Sequence, residues 1–317
     1  MLKPLQHTIY RLKYRYAPYL QLDRPVDISL ELASACNQRC GYCYHADQKN
    51  LPFTKGIMNY TTAQLILVDA ANLGVNSLKF NFRGESTLNP DFYRITTFAK
   101  DHASGSTFID RVTNSNFKFN SNREDIFEGL CNQTKVKVSF DSFIPEVMHK
   151  QRAGSDHSLA MKNIDLFYNH KNRKYTEIVI QAVRTQLNKA EDLEHQIKIR
   201  WPEAKASIRN MVAGRVNKDL TDLEVKERDF SNRQTCLQAH NRLIFDHLGN
   251  AQACCPDTGS KIQFGNIHDL EIYKIFNSEK AKALRKSLLD KSAFNLDPCK
   301  TCSSHESFSG YKHPWGS

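Results

Sequence analysis

Six short runs of strand type alternate along this chain with stretches of helical period, and that alternation limits the fold more than any other feature. Val26 to Leu32 alternates apolar and polar residues with period two and predicts a strand. Thr61 to Leu73 has helical period and stops at Gly74, a residue suited to the position after a helix. Ser77 to Phe82 predicts a second strand, Pro90 opens a helix running to about Asp101, and Phe108 to Thr113 predicts a third strand. A short helix over Asn122 to Leu130 and a strand over Lys135 to Phe140 follow. Leu159 to His170 (helix), Glu177 to Val183 (strand), Ala190 to Arg200 (helix) and Ala206 to Met211 (sixth strand) complete the series. Such βα alternation predicts an α/β fold with a parallel sheet, helices outside it, and ligands at the C-terminal ends of the strands. Periodicity alone does not separate a flat doubly wound sheet from a partial barrel.

The first strand runs directly into Cys36, Cys40 and Cys43. Three thiolates fill three of the four corners that a cubane iron–sulfur cluster usually gives to cysteine, which leaves one iron open to a small molecule. The competing reading is a zinc ion completed by His45, since three cysteines and a histidine are an ordinary structural zinc set.

At 317 residues, 40% of them hydrophobic, the chain can form one large α/β domain with a smaller appendage. No stretch approaches the roughly 18 uninterrupted apolar residues of a spanning helix, and the basic start lacks a signal-peptide core, so no membrane partner and a cytoplasmic location are expected. Nine cysteines in short-spaced groups then read as metal ligands rather than disulfides. A net charge of +10 and a pI near 9.1 point to an anionic partner.

The spacing Cys-x3-Cys-x2-Cys, with the aromatic Tyr42 before the last cysteine, resembles the signature of the radical S-adenosylmethionine (SAM) superfamily. The resemblance implies a partial six-stranded (β/α) barrel, a [4Fe–4S] cluster on Cys36, Cys40 and Cys43, and SAM on the open iron. It also implies reductive cleavage of SAM to a 5′-deoxyadenosyl radical that takes a hydrogen atom from a substrate. Other marks fall in the family's order. Gly84 and Glu85 resemble the end of the Gly-Gly-Glu-Pro motif, with Glu85 placed to meet the methionine ammonium, although Arg83 and Ser86 depart from that pattern. Asn114 lies in a Thr-Asn-Gly-like turn, Ser139 and Asp141 resemble the Ser-x-Asp run near the SAM ribose, and Arg152 stands where relatives carry an arginine for the SAM carboxylate. Gln38 and Arg39, inside the loop, are placed to tune the cluster potential.

Downstream, Cys236, a strand over Leu243 to His247, a turn at Gly249 and a returning strand carrying Cys254 and Cys255 resemble the opening of the SPASM module. Gly265, Asn266 and a helix near Asp269 continue the likeness, and Cys299 and Cys302 supply the next pair. No cysteine follows to Ser317, so one auxiliary [4Fe–4S] cluster is expected on Cys236, Cys254, Cys299 and Cys302, as in the shortened "twitch" version; a four-cysteine zinc ribbon is the alternative. Cys255 is either a spare hydrogen-atom donor, as in some peptide epimerases of the superfamily, or a small buried residue; Cys131 reads as core.

The expected organisation is a basic and aromatic segment (1–20), a radical SAM barrel (21–215), a cluster-binding β-hairpin and helix module (230–310) and a tail (311–317). The segment from Tyr10 to Tyr16 could stack bases and pair phosphates, or pack as a charged helix. The expected function is a radical SAM oxidoreductase or maturase acting on a peptide or protein side chain by oxidation, cross-linking or epimerisation, reduced by a flavodoxin or ferredoxin. Alternatives are an enzyme acting on a small sugar, nucleotide or aminoglycoside, and a zinc-dependent nucleic-acid-binding protein.

Overall fold

The computed structural model describes residues 4–103, 107–117, 123–210, 235–300 and 302. Its centre is six parallel strands, β1 (Asp27–Leu30), β3 (Ser77–Lys79), β4 (Phe108–Thr113), β5 (Lys135–Ser139), β7 (Glu177–Arg184) and β8 (Lys205–Asn210), hydrogen-bonded in that order. Helices α2 (Tyr60–Asn72), α3 (Phe92–His102), α4 (Arg123–Cys131), α6 (His157–Tyr168) and α7 (Leu193–Arg200) alternate with them. Local chemistry sets the boundaries. Asn59 caps α2 by accepting from the Thr62 amide at 2.8 Å, and Gly74 takes φ +65 just beyond its end. Asp156 caps α6 through the Leu159 amide at 2.9 Å.

One face of this sheet is apolar. Ile28, Leu30, Leu78, Val136, Val138 and Ile180 are all buried against the helices, each contributing roughly 1.5–3 kcal/mol of burial. The other face is polar, with Asp27, Ser29 and Glu31 alternating along β1 and its extension. Asp27 pairs with Lys79, and Asp110 with Lys137 at 3.5 Å, so charges on this inner face neutralise one another. β8 pairs with β7 alone among the described residues, so the sheet stays open as a partial barrel.

The strand expected in a separate hairpin instead joins the barrel. β9 (Arg242–Phe245) lies parallel to β1, with Asp27 opposite Arg242 and Leu30 opposite Phe245. β10 (Asn250–Gln252) and β11 (Gln263–Asn266) extend it antiparallel, which makes a nine-stranded sheet. Alternation identifies a strand but not its neighbour, so the sequence hid this pairing. The helix expected near Asp269 is α9 (Ile272–Phe276), followed by α10 (Glu279–Leu289). The basic segment is helix α1 (Pro4–Leu20), which packs on α8 (Gln238–Asn241). Asn122, Met211 and the tail 311–317 lie outside the described residues. Among those described, no helix is long and apolar enough to cross a membrane.

Candidate functional site

The chain leaving β1 turns at Ala33, which bridges to Ile57, and enters the cysteine loop at the C-terminal end of the sheet. A two-residue strand, β2 (Arg39–Cys40), then pairs antiparallel with β6 (Arg152–Ala153), which follows helix α5 (Pro145–Gln151). That register sets Cys40 opposite Arg152, whose Nη1 lies 3.7 Å from Cys40 Sγ. The guanidinium forks onto Asp141, with Nε 2.8 Å from Oδ2 and Nη2 3.0 Å from Oδ1, and the Tyr42 hydroxyl donates to the same carboxylate at 2.5 Å. Arg152 therefore meets Asp141 first and stands as a countercharge beside Cys40. Burial pushes the Cys36 thiol up to about 12 and the Cys40 thiol to about 11, with Arg152 opposing the latter shift. Both hold their protons until a cationic centre replaces them.

Gly84 sits directly against this loop. A Cβ there would lie 2.2 Å from the Ala35 carbonyl oxygen and 2.4 Å from that of Ala33, so only glycine admits the approach. The Glu85 amide then donates to the Ala35 carbonyl at 2.9 Å. Glu85 is buried: Oε1 accepts from Arg111 Nη2 at 2.8 Å, Thr87 Oγ1 at 2.8 Å and Thr113 Oγ1 at 3.0 Å, while Oε2 accepts from the Asn114 amide at 2.8 Å. Oε2, with one partner, is the oxygen that retains acceptor capacity. Asn114 reaches Asn37 Oδ1 at 2.7 Å and lies 3.9 Å from Cys36 Sγ.

Arg83, one residue earlier, is buried on Glu31 through Nε (2.7 Å) and Nη2 (2.6 Å). Its Nη1 donates to the Thr258 carbonyl and to Ser260 Oγ, both at 3.1 Å, which ties the cysteine-rich C-terminal region to the barrel. Burial would raise Glu31, but hydrogen bonds from Arg83 and His247 outweigh it and hold the carboxyl below its ordinary range. Arg83 thus fills the place of a motif glycine with a structural ion pair.

These groups enclose one cavity of about 400 Å³. Cys36, Cys40, Tyr42, Cys43, Gly84, Glu85, Asn114, Ser139 and Arg152 all line it, so the residues named from five separate stretches of sequence come together. Asp141 lies behind Tyr42 and Arg152 rather than on the wall. Reasoning from motifs did not name Gln181, Val183 or Arg209, which also line the cavity, nor Glu31 and Arg111, which brace it. Two acidic residues on the alternating first strand, Asp27 and Glu31, were the available sign that its inner face is polar.

Cys236, Cys254, Cys299 and Cys302 converge on a second, apolar pocket of about 20 Å³, closed by Ile262, Leu284 and Leu288. Burial pushes Cys236 up to about 12 and Cys254 well above its ordinary range. Cys255 lines neither pocket: its thiol donates at 3.0 Å to Oε1 of Gln238, a residue of the second pocket's wall, and lies 3.7 Å from Arg242 Nη1. Cys131 packs against the core beside His170. Away from both cysteine sets, and among the described residues, Glu124, Glu128 and His170 bring three ligand atoms within 4.8 Å of one another at the surface.

The family model that matches is SPASM, an iron–sulfur cluster-binding domain, over residues 236–303. Among solved structures, BtrN in complex with AdoMet and 2-DOIA superposes with a TM-score of 0.59 at 18% identity, over 88% of this chain and 93% of that one. anSMEcpe with bound AdoMet gives 0.62 at 18% identity over 90% and 87%. Streptococcus suis SuiB bound to S-adenosylmethionine gives 0.64 at 14% over 93% and 76%. The chain has the fold of radical SAM enzymes with a SPASM-type module. No curated protein matches it by sequence. In this radical SAM fold the three-cysteine loop and the cavity occupy the C-terminal mouth of the partial barrel, while the module's cysteines lie toward the other end of β9 and β10.

Proposed function

We propose that this chain is a radical SAM enzyme in which Cys36, Cys40 and Cys43 hold a [4Fe–4S] cluster and Cys236, Cys254, Cys299 and Cys302 hold a second. The carrying observation is the convergence of three cysteines with Glu85, Asn114, Ser139 and Arg152 on one cavity at the strands' C-terminal ends. The donor set fits: three thiols leave one iron corner open, and the module's four thiols supply a full set of corners for a second cluster. When bound and reduced, a cluster held by Cys36, Cys40 and Cys43 would supply one-electron reduction of SAM and so the means of hydrogen-atom abstraction from the substrate.

The chain's own residues prepare that step. Glu85 offers an acceptor to the SAM ammonium through the oxygen that retains capacity, and Asn114 and Ser139 line the same wall. Arg152, anchored by Asp141 and Tyr42, faces Cys40 with positive charge and favours its thiolate. Gly84 holds the loop and the Glu85 turn in direct contact. An electron from a flavodoxin- or ferredoxin-class donor is required.

For substrate, a peptide or protein side chain is the first reading. It is supported by the fold shared with anSMEcpe, which has structures with bound peptides, and with SuiB, which has one with its precursor peptide SuiA. A small-molecule substrate is the second, favoured by length: the chain spans 93% of BtrN, whose structure holds 2-DOIA. The test is anaerobic reconstitution followed by SAM and a strong reductant. About eight irons per chain and 5′-deoxyadenosine formation are expected; stoichiometric zinc and no SAM cleavage would refute the reading. Deuterium transfer into 5′-deoxyadenosine from labelled peptides or from labelled sugars, nucleotides and aminoglycosides then separates the two substrate classes.

A further inference from the structure

Helix α1 has two faces, and the barrel uses one of them. His7, Tyr10, Tyr14, Ala17 and Pro18 fall on one side at helical spacing. Ala17 is fully buried, the His7 ring lies 6.3 Å from that of Phe108, and the Tyr14 carbonyl accepts from Asn241 Nδ2 at 3.2 Å. Burial pushes both Tyr10 and Tyr14 hydroxyls up. This side anchors the helix beneath the strand starts, at the end of the barrel opposite the cavity mouth.

On the opposite side Leu5, Ile9, Leu12 and Leu20 recur at i, i+4, i+7 and i+15 and form one stripe. They stay exposed by 68%, 42%, 50% and 53%, beside Tyr19 at 39%. Basic residues flank the stripe, Lys13 on one edge and Arg11 and Arg15 on the other, and the helix contains no acidic residue. A chain carrying +10 overall adds to that field. An apolar stripe between two basic edges suits a surface that is apolar inside and anionic at its rim. Pairing with a second copy of the helix would set basic edge against basic edge, which like-charge repulsion opposes.

We propose that α1 docks the enzyme on an anionic lipid bilayer, its leucine and isoleucine side chains entering the headgroup boundary and Arg11, Lys13 and Arg15 meeting lipid phosphates. The helix lies in the interface and does not span it. Because α1 lies under the N-terminal ends of the strands, docking leaves the cavity mouth facing water, open to substrate and reductant. This inference stands on the helix alone and is independent of the reaction proposed above.

The experiment is flotation of the reconstituted full chain with vesicles of phosphatidylcholine alone or containing about 30% phosphatidylglycerol. The protein is expected to float with the anionic vesicles, at least about tenfold less with phosphatidylcholine, and less in about 0.5 M salt. Leu5→Glu with Leu12→Glu is expected to cut flotation about tenfold, and Arg11→Gln with Lys13→Gln severalfold, with iron content and SAM cleavage unchanged. Failure of the unaltered protein to float with anionic vesicles would overturn the proposal, as would flotation untouched by either variant. A dimer that the Leu5→Glu, Leu12→Glu variant dissolves into monomers would overturn it too, by assigning the stripe to a second copy.

Discussion

The two cysteine sets carry the same donor atom in opposite surroundings. Cys36, Cys40 and Cys43 open onto about 400 Å³ where Glu85, Asn114, Ser139 and Arg152 stand among apolar side chains, whereas Cys236, Cys254, Cys299 and Cys302 close on about 20 Å³ walled by Ile262, Leu284 and Leu288. Space and hydrogen-bonding groups admit a second molecule next to a metal centre; a small pocket with apolar walls leaves room for the centre and little more. The number of thiols agrees with this, three at the open site and four at the closed one.

The largest expected effect separates the sets. Cys40→Ala should lower 5′-deoxyadenosine formation by more than about a thousandfold, while Cys299→Ala leaves it within about threefold and removes about half of the iron. Chromatography of SAM products with iron analysis checks this, and equal losses from both variants would erase the distinction between reactive and closed sites.

The next effect probes how the two regions are joined. Glu31→Gln leaves Arg83 buried without its partner and should cost about 3–5 kcal/mol in urea unfolding. A cost below about 1 kcal/mol would mean that the link through Thr258 and Ser260 survives without the ion pair.

Acid should act on the closed region through His240, four residues beyond Cys236. Burial, helped by Arg285, lowers this imidazole from 6.5 to about 4. Its folded value lies below its unfolded one, so the unfolded chain binds the proton first and stability falls as pH drops from about 6.5 to about 4. The full loss approaches about 3 kcal/mol. Thermal melts across that range should lose this slope in His240→Gln.

Cys255→Ser should have the smallest effect, with iron content and SAM cleavage within about twofold of the parent, because its thiol is spent on Gln238 and lines neither pocket. Loss of one cluster's iron would instead place Cys255 among the auxiliary ligands.

Much of the barrel was legible because its strands and helices are locally consistent. Phe108–Thr113 was read with both ends correct, and the other five inner strands overlap the observed ones. The seven cysteines fall into the two groups that the family resemblance implied, and Gly84, Glu85, Asn114, Ser139 and Arg152 line one cavity. The bracing groups were not legible. Arg111 reaches Glu85 across 26 positions and Arg83 reaches Ser260 across 177, and no local pattern marks a partner at such range. Arg152 shows the same limit: its motif position was visible, but its fork onto Asp141 was not.

The sequence by itself determined the order of strands and helices and the two groups of cysteines that resemble the family's, because residue period and short motifs are local properties. The tertiary structure alone decided that β9 lies against β1, that one cysteine set faces a roomy cavity with charged groups and the other a small apolar pocket, and which side of α1 stays exposed. Those outcomes depend on which surfaces bury one another, and burial is a property of the whole chain.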